Sequence, residues 1–190
     1  CGLPFGIAES AGQGILFIAM AGSHQIWVLD LVTGMIRLFA GTGHEDIVDG
    51  TRQESSFAQP SGLAIDLDAD ILYVADSETS AVRTIHLGSD LVETLVGTGL
   101  FDFGDTDGSV ERVRFQHPLG VCLWPDAPGG PGLLVADTYN HKIKLLDLQK
   151  REVRTLLGAS GPGALRDGIG KTASFSEPGG LALSSDKLFI

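Results

Sequence analysis

A phrase repeated in one register, four short apolar runs between its copies, and a gradient of polarity across those runs predict an all-β fold, a β-propeller of four-stranded antiparallel blades. The phrase has the frame F-x-x-P-x-G. It stands at Ser56-Phe57-Ala58-Gln59-Pro60-Ser61-Gly62, Arg114-Phe115-Gln116-His117-Pro118-Leu119-Gly120 and Ser174-Phe175-Ser176-Glu177-Pro178-Gly179-Gly180, and Pro4-Phe5-Gly6 enters it late. An Asp-Gly pair precedes each full copy by the same distance, at Asp49-Gly50, Asp107-Gly108 and Asp167-Gly168. A repeat of this length sets the architecture and tells scaffold from variation.

The elements follow in order. The first unit offers runs at 6–8, 16–19, 25–30 and 35–41, the second at 62–66, 71–76, 81–85 and 91–97. The third offers 120–123, 133–137, 141–147 and 153–158, and the fourth opens at Gly180-Leu181 and reaches Leu188-Phe189-Ile190. All are too short for ordinary helices and are bounded by turn residues. The first two runs of each unit are nearly all apolar, as in strands covered on both faces. The third and fourth carry charges at alternate positions (Arg37, Arg83, Glu93, Lys142, Lys144, Arg154), which predicts strands nearer solvent. Four strands graded from dry to wet and repeated in tandem describe a propeller blade. The units divide as 1–43, blade one; 44–99, a connecting loop and blade two; 100–158, a loop and blade three; and 159–190, a loop and part of blade four. About three and a half blades leave a ring unclosed, so the expectation is a piece of a longer protein whose remaining blades close the ring.

Within each blade, Leu63, Ala64, Ile65, Val74, Val121, Val135, Leu181 and Ala182 are expected to be buried, and Phe57, Phe115 and Phe175 to fill equivalent pockets between blades. The net charge of −11 with scattered Lys and Arg argues against a nucleic-acid surface, which needs concentrated positive charge. No run approaches the length of a membrane span. Cys1 and Cys122 form no metal or redox spacing; Cys122 reads as an inert buried thiol, and the lack of a disulfide scaffold points to a reducing, cytoplasmic setting.

Val135-Ala136-Asp137-Thr138-Tyr139-Asn140-His141-Lys142-Ile143 follows P-x-G and a strand, and matches the hallmark V-A-D-T-x-N-H-[KR]-[IV]. Val74-Ala75-Asp76 with Ser80 in the histidine position, and Ile18-Ala19-Met20 with His24 retained, are weaker copies. The chain thus resembles the NHL-repeat family over its whole length. Its unit is longer than the usual repeat of roughly forty residues, the excess being the Asp-Gly loop, and in this it is similar to those NHL proteins in which a thioredoxin-like domain precedes the propeller. Nothing of such a domain is present, so the resemblance places any redox chemistry outside the chain.

Antiparallel succession brings the turn between second and third strands and the blade-to-blade loop to the same end. That rim collects the expected binding residues Asp49, Asp76, Asp105, Asp107, Asp137, Tyr139, Asn140, His141 and Asp167. Asp76 and Asp137 are read as capping the turns that follow them, and each Asp-Gly as a turn with glycine at positive φ. A calcium loop would need a glutamate where Arg114 stands. No nucleophile elbow, phosphate loop or close histidine pair occurs, so no catalytic residue, cofactor or metal is assigned. The expected function is a non-catalytic scaffold for a protein or peptide partner. The alternative is a metal-dependent hydrolase or lyase using the acidic, histidine-bearing rim, since some NHL-type propellers resemble lyases that hold zinc.

Overall fold

The computed structural model describes residues 4–10, 12, 14–159, 165–185 and 187–190. Strands β1 (Pro4–Ser10), β2 (Ile15–Met20), β3 (Gln25–Asp30) and β4 (Ile36–Ala40) form blade one, an antiparallel sheet in sequence order. Blade two comprises β5 (Gly50–Thr51), β6 (Pro60–Asp66), β7 (Ile71–Asp76), β8 (Ala81–His86) and β9 (Leu91–Val96), in the order β5-β9-β8-β7-β6. Blade three repeats this with β10 (Gly108–Ser109), β11 (Gly120–Trp124), β12 (Gly132–Asp137), β13 (Lys142–Asp147) and β14 (Glu152–Leu157), in the order β10-β14-β13-β12-β11. A two-stranded sheet of β15 (Ala182–Leu183) and β16 (Leu188–Phe189) follows.

Two sequence expectations are corrected here. Blades two and three have five strands, not four. In these two blades the glycine of the Asp-Gly pair starts a short strand on the outer edge, Gly50 opposite Val92 and Gly108 opposite Val153. The connecting segment therefore covers the edge of the blade it leads into, which removes an unpaired strand from solvent. The charged third strands are also dry: Arg83 and Lys144 have no exposed surface and Lys142 has 6%. Alternation in the sequence reported two faces truly, but one of them is roofed by the incoming Asp-Gly segment. The fourth strands of blades two and three begin with the expected alternation of exposed and buried residues, whereas Ile36, Arg37 and Leu38 at the start of β4 are all exposed.

The core lies between blades. Phe57 is fully buried among Phe17, Ala19 and Ile26 of blade one and Leu63, Leu72 and Val74 of blade two. Phe115 occupies the equivalent place between blades two and three, against Tyr73, Val82 and Val96 on one side and Val121 and Val135 on the other. Phe175 is only half-buried, and of the expected inner residues Ile65 and Leu181 are half-buried and Ala182 is exposed. In the fourth unit only two short strands are formed among the described residues, so less covers these side chains. Cys122 is half-buried rather than buried, and burial pushes its thiol pKa up. Cys1 lies outside the described residues.

The glycine of the repeated phrase has a packing reason. A methyl group on Gly6 would sit 2.0 Å from the Ser61 carbonyl oxygen, on Gly62 2.6 Å from that of Leu119, and on Gly120 2.0 Å from that of Gly179. Inner strands of successive blades approach backbone to backbone at this point, and only glycine leaves room.

Candidate functional site

At the rim the turn after each second strand meets the loop that leads into the next blade. Three hydrogen-bond positions recur there. His24 Nδ1 accepts the Gln59 N–H at 3.2 Å, Ser80 Oγ accepts the His117 N–H at 3.2 Å, and His141 Nδ1 accepts the Glu177 N–H at 3.0 Å. Each donor precedes a phrase proline and has left-handed backbone, with φ of 54, 53 and 49° at Gln59, His117 and Glu177. The latch holds a strained residue in place from the neighbouring blade. It also explains why serine substitutes for histidine at position 80: either side chain offers an acceptor. A second latch comes from the hydroxyl after the aspartate, Ser77 Oγ donating to the Pro118 carbonyl at 2.9 Å and Thr138 Oγ1 to that of Pro178 at 2.8 Å.

Beneath the rim, the aspartates and the buried cations of the third strands assemble. In blade two, Arg83 Nη1 donates to Asp76 Oδ2 at 3.3 Å and Nη2 to Asp49 Oδ1 at 2.9 Å, and the guanidinium lies 5.1 Å from the Phe57 ring centroid. In blade three, Lys144 Nζ is 3.1 Å from Asp137 Oδ2, 3.0 Å from Asp105 Oδ1 and 3.5 Å from Asp107 Oδ1, and 5.6 Å from the Phe115 centroid. Lys142 pairs with the other oxygen of Asp105, Thr155 donates to Asp107 from both N–H and hydroxyl, and Asn140 Nδ2 donates to Asp137 and the Gly104 carbonyl. Asp102 is held by Arg114 at 2.7 Å. Blade one, with Met20 and Trp27 in the corresponding positions, does without the pair.

Asp76 and Asp137 therefore do not cap their turns, as the sequence suggested. Their side chains make no capping bond; Oδ1 of each reaches across to the incoming loop, to the N–H of Ala58 and of Gln116. Both are fully buried, which removes them from direct contact with any partner. Asp49, Asp105 and Asp107 are partly exposed, but Oδ1 of Asp49 is held by Arg83 and Thr94, and both oxygens of Asp105 and Asp107 by Lys142, Lys144 and Thr155. Asp167 is exposed and makes no ion pair among the described residues. Also among the described residues, no three His, Cys, Asp or Glu side chains gather as a metal-binding group.

Burial raises the Asp76 carboxyl from 3.8 to about 7, with Arg83 and the Ala58 N–H pulling the other way. Burial likewise raises Asp137. Burial works against the Lys144 ammonium, but Asp137 and Asp105 outweigh it, so its pKa rises. A folded Asp76 keeps its proton up to about 7, while the unfolded chain releases it at the ordinary 3.8, so between these values the folded state binds more protons. Stability should fall as pH rises across that window and level off above it. Melting curves at several pH values check this: the Asp76→Asn variant should lose the slope, and a wild-type slope of the opposite sign contradicts the account.

Above the buried charges the rim carries a cleft of about 320 Å³ between blades two and three, lined by Glu45, Glu78, Phe101, Phe103, His117 and Tyr139 among others. Tyr139 stacks on His117 with ring centroids 4.6 Å apart and planes 8° from parallel. His117 Nδ1 lies 3.1 Å from Glu78 Oε2. Phe101 is 88% exposed and Tyr139 48%.

Residues 57–85 match the NHL repeat model. This is an NHL-repeat β-propeller chain. It is 42% identical over 183 residues to Protein SUPPRESSOR OF QUENCHING 1, chloroplastic, of Arabidopsis thaliana, covering 92% of the chain and 17% of that protein. It is 39% identical over 203 residues to human NHL repeat-containing protein 2, covering 96% of the chain and 28% of that protein. The chain thus spans between about a sixth and just over a quarter of the length of these curated relatives. An auxiliary nutrient binding protein of Bacteroides thetaiotaomicron superposes with a TM-score of 0.70 at 15% identity, over 95% of this chain and 43% of that one. A chain of a nidogen/laminin complex superposes with a TM-score of 0.61 at 16% identity, over 95% and 52%. These likenesses speak to the fold alone. No helix among the described residues is long and apolar enough to cross a membrane.

Of the binding residues expected from the sequence of this NHL-repeat chain, Tyr139 alone lines the cleft. Asn140 and His141 serve the scaffold. Sequence reasoning brings His117 to this rim and missed Glu78, Phe101 and Phe103. The signal was present: Leu100, Phe101 and Phe103 stand in a loop otherwise made of Asp, Gly and Thr.

Proposed function

We propose that this NHL-repeat chain is a non-catalytic scaffold that binds a protein or peptide partner through the rim where its second-to-third-strand turns meet the connecting loops. One observation carries the reading. Large aromatic side chains stand in solvent, around a cleft, on a rim whose backbone is latched blade to blade. Exposed apolar surface on a rigid support is a mark of recognition sites. The acidic residues below support the rim rather than the partner. With a net charge of −11, the partner's contact surface is basic or neutral, and association slows as salt rises.

The test is capture of partners by the intact protein and by a variant with Phe101, Phe103 and Tyr139 all replaced by serine. Loss of specific partners at an unchanged melting point is the expected result; the same partners at the same yield overturns the reading. On this proposal the scaffold is joined in a longer protein to a thioredoxin-like domain, in the cytoplasm; the small share of the relatives that the chain spans supports the longer protein alone. The neighbouring coding sequence tests that part directly.

A further inference from the structure

We propose that the cleft between blades two and three takes the arginine or lysine side chain of a basic peptide; this rests on the binding-scaffold reading and gives that reading a ligand class. The first support is that the cleft breaks the repeat. Counting from the Asp-Gly pair, Phe101 and Phe103 correspond to Gly43 and Glu45 in the preceding connection, and Tyr139 corresponds to Glu78 and Gly22 in the other turns. Residues that build blades recur from unit to unit here, as the latches and buried cations do. An aromatic trio found at one junction only, and left in solvent there, has no scaffold role to explain it.

The second support is chemical. The walls combine aromatic faces with the carboxylates of Glu45 and Glu78, and no lysine or arginine lines the cleft. A cation held over an aromatic face with a carboxylate alongside gains from both, and more so when partly desolvated. On the same rim Asp49, Asp102, Asp105 and Asp107 are neutralised from within, by Arg83, Arg114, Lys142 and Lys144. Glu45 makes no ion pair among the described residues, and Glu78 meets only His117.

The third support is preorganisation. His117 sits on backbone fixed by the Ser80 latch, stacks on Tyr139 and holds Glu78, so one wall and one carboxylate are in place before any ligand arrives. The cleft volume of about 320 Å³ accommodates one long side chain and its flanking peptide bonds, at the lower end of ordinary ligand pockets.

The experiment is calorimetric titration of the intact protein with the blocked peptide Ala-Ala-Arg-Ala-Ala and its citrulline counterpart, which keeps the shape and lacks the charge. The arginine peptide should bind saturably, with the citrulline peptide about tenfold weaker. Phe101→Ala/Phe103→Ala and Glu45→Gln/Glu78→Gln should each weaken the arginine peptide about tenfold. The four substituted side chains are at or near the surface, so the melting point serves as the folding control. Equal binding of both peptides, full affinity in the phenylalanine variant, or no saturable binding to the wild type each overturns the proposal. If the peptide fails while the serine variant still loses its partners, the ligand class falls and the scaffold reading stands; if that variant keeps its partners, the scaffold reading itself falls.

Discussion

Replacing Lys144 by methionine should destabilise the propeller by about 3–5 kcal/mol, because it leaves a buried carboxylate without its cation. Methionine keeps the length and most of the volume of the lysine stem, so the loss reports charge rather than a cavity. Asp137 is fully buried and holds its second oxygen 3.1 Å from the ammonium. The same ammonium draws in Asp105 at 3.0 Å and Asp107 at 3.5 Å, which ties the Asp-Gly segment to the middle of the blade. Urea denaturation is the measurement. The loss should be much smaller at a surface cation such as Lys150, whose bond to Asp147 is exposed.

Phe115→Ala should cost a similar amount, about 3–5 kcal/mol, by opening a cavity between two blades. The ring is fully buried, touches the inner strands of blades two and three, and lies 5.6 Å beneath the Lys144 ammonium. Removing it therefore takes away both packing and a partner of the buried cation. Phe101→Ala is the internal control: at 88% exposure its loss should fall within about 0.5 kcal/mol. A cost below about 1 kcal/mol at Phe115 would mean that the interblade pocket collapses around the smaller residue.

The blades were legible in the sequence because β-strand chemistry is local: short apolar runs, turn residues and a constant frame name each strand before any contact is known. The phrase glycines, Phe57 and Phe115 were legible for the same reason. What sequence alone could not deliver was the meaning of the charges. Arg83 and Lys144 alternate with apolar neighbours as a solvent-facing row would. Only the fold reveals that the connecting loops close over them, Val48, Asp49 and Ser56 on Arg83 and Asp105, Asp107 and Arg114 on Lys144. The acidic rim followed the same error, since Asp49, Asp105 and Asp107 look free until their cations are seen below. His24, Ser80 and His141 were noted as equivalent, yet their shared role as acceptors depends on a backbone N–H that lies 35 to 37 residues away. The cleft was missed because its walls come from both connecting loops and two turns, none of which announces the others.

The measurement that bears most directly on the central claim, that the rim's acids clasp the blades through buried cations, is a double-mutant cycle between Asp137→Asn and Lys144→Met. The account predicts that each single variant loses stability, and that the double variant loses at least about 1.5 kcal/mol less than the sum, since no uncompensated charge of the pair remains. Losses that add to within about 0.5 kcal/mol would contradict it, and would return Asp137 to the role of an ordinary turn residue.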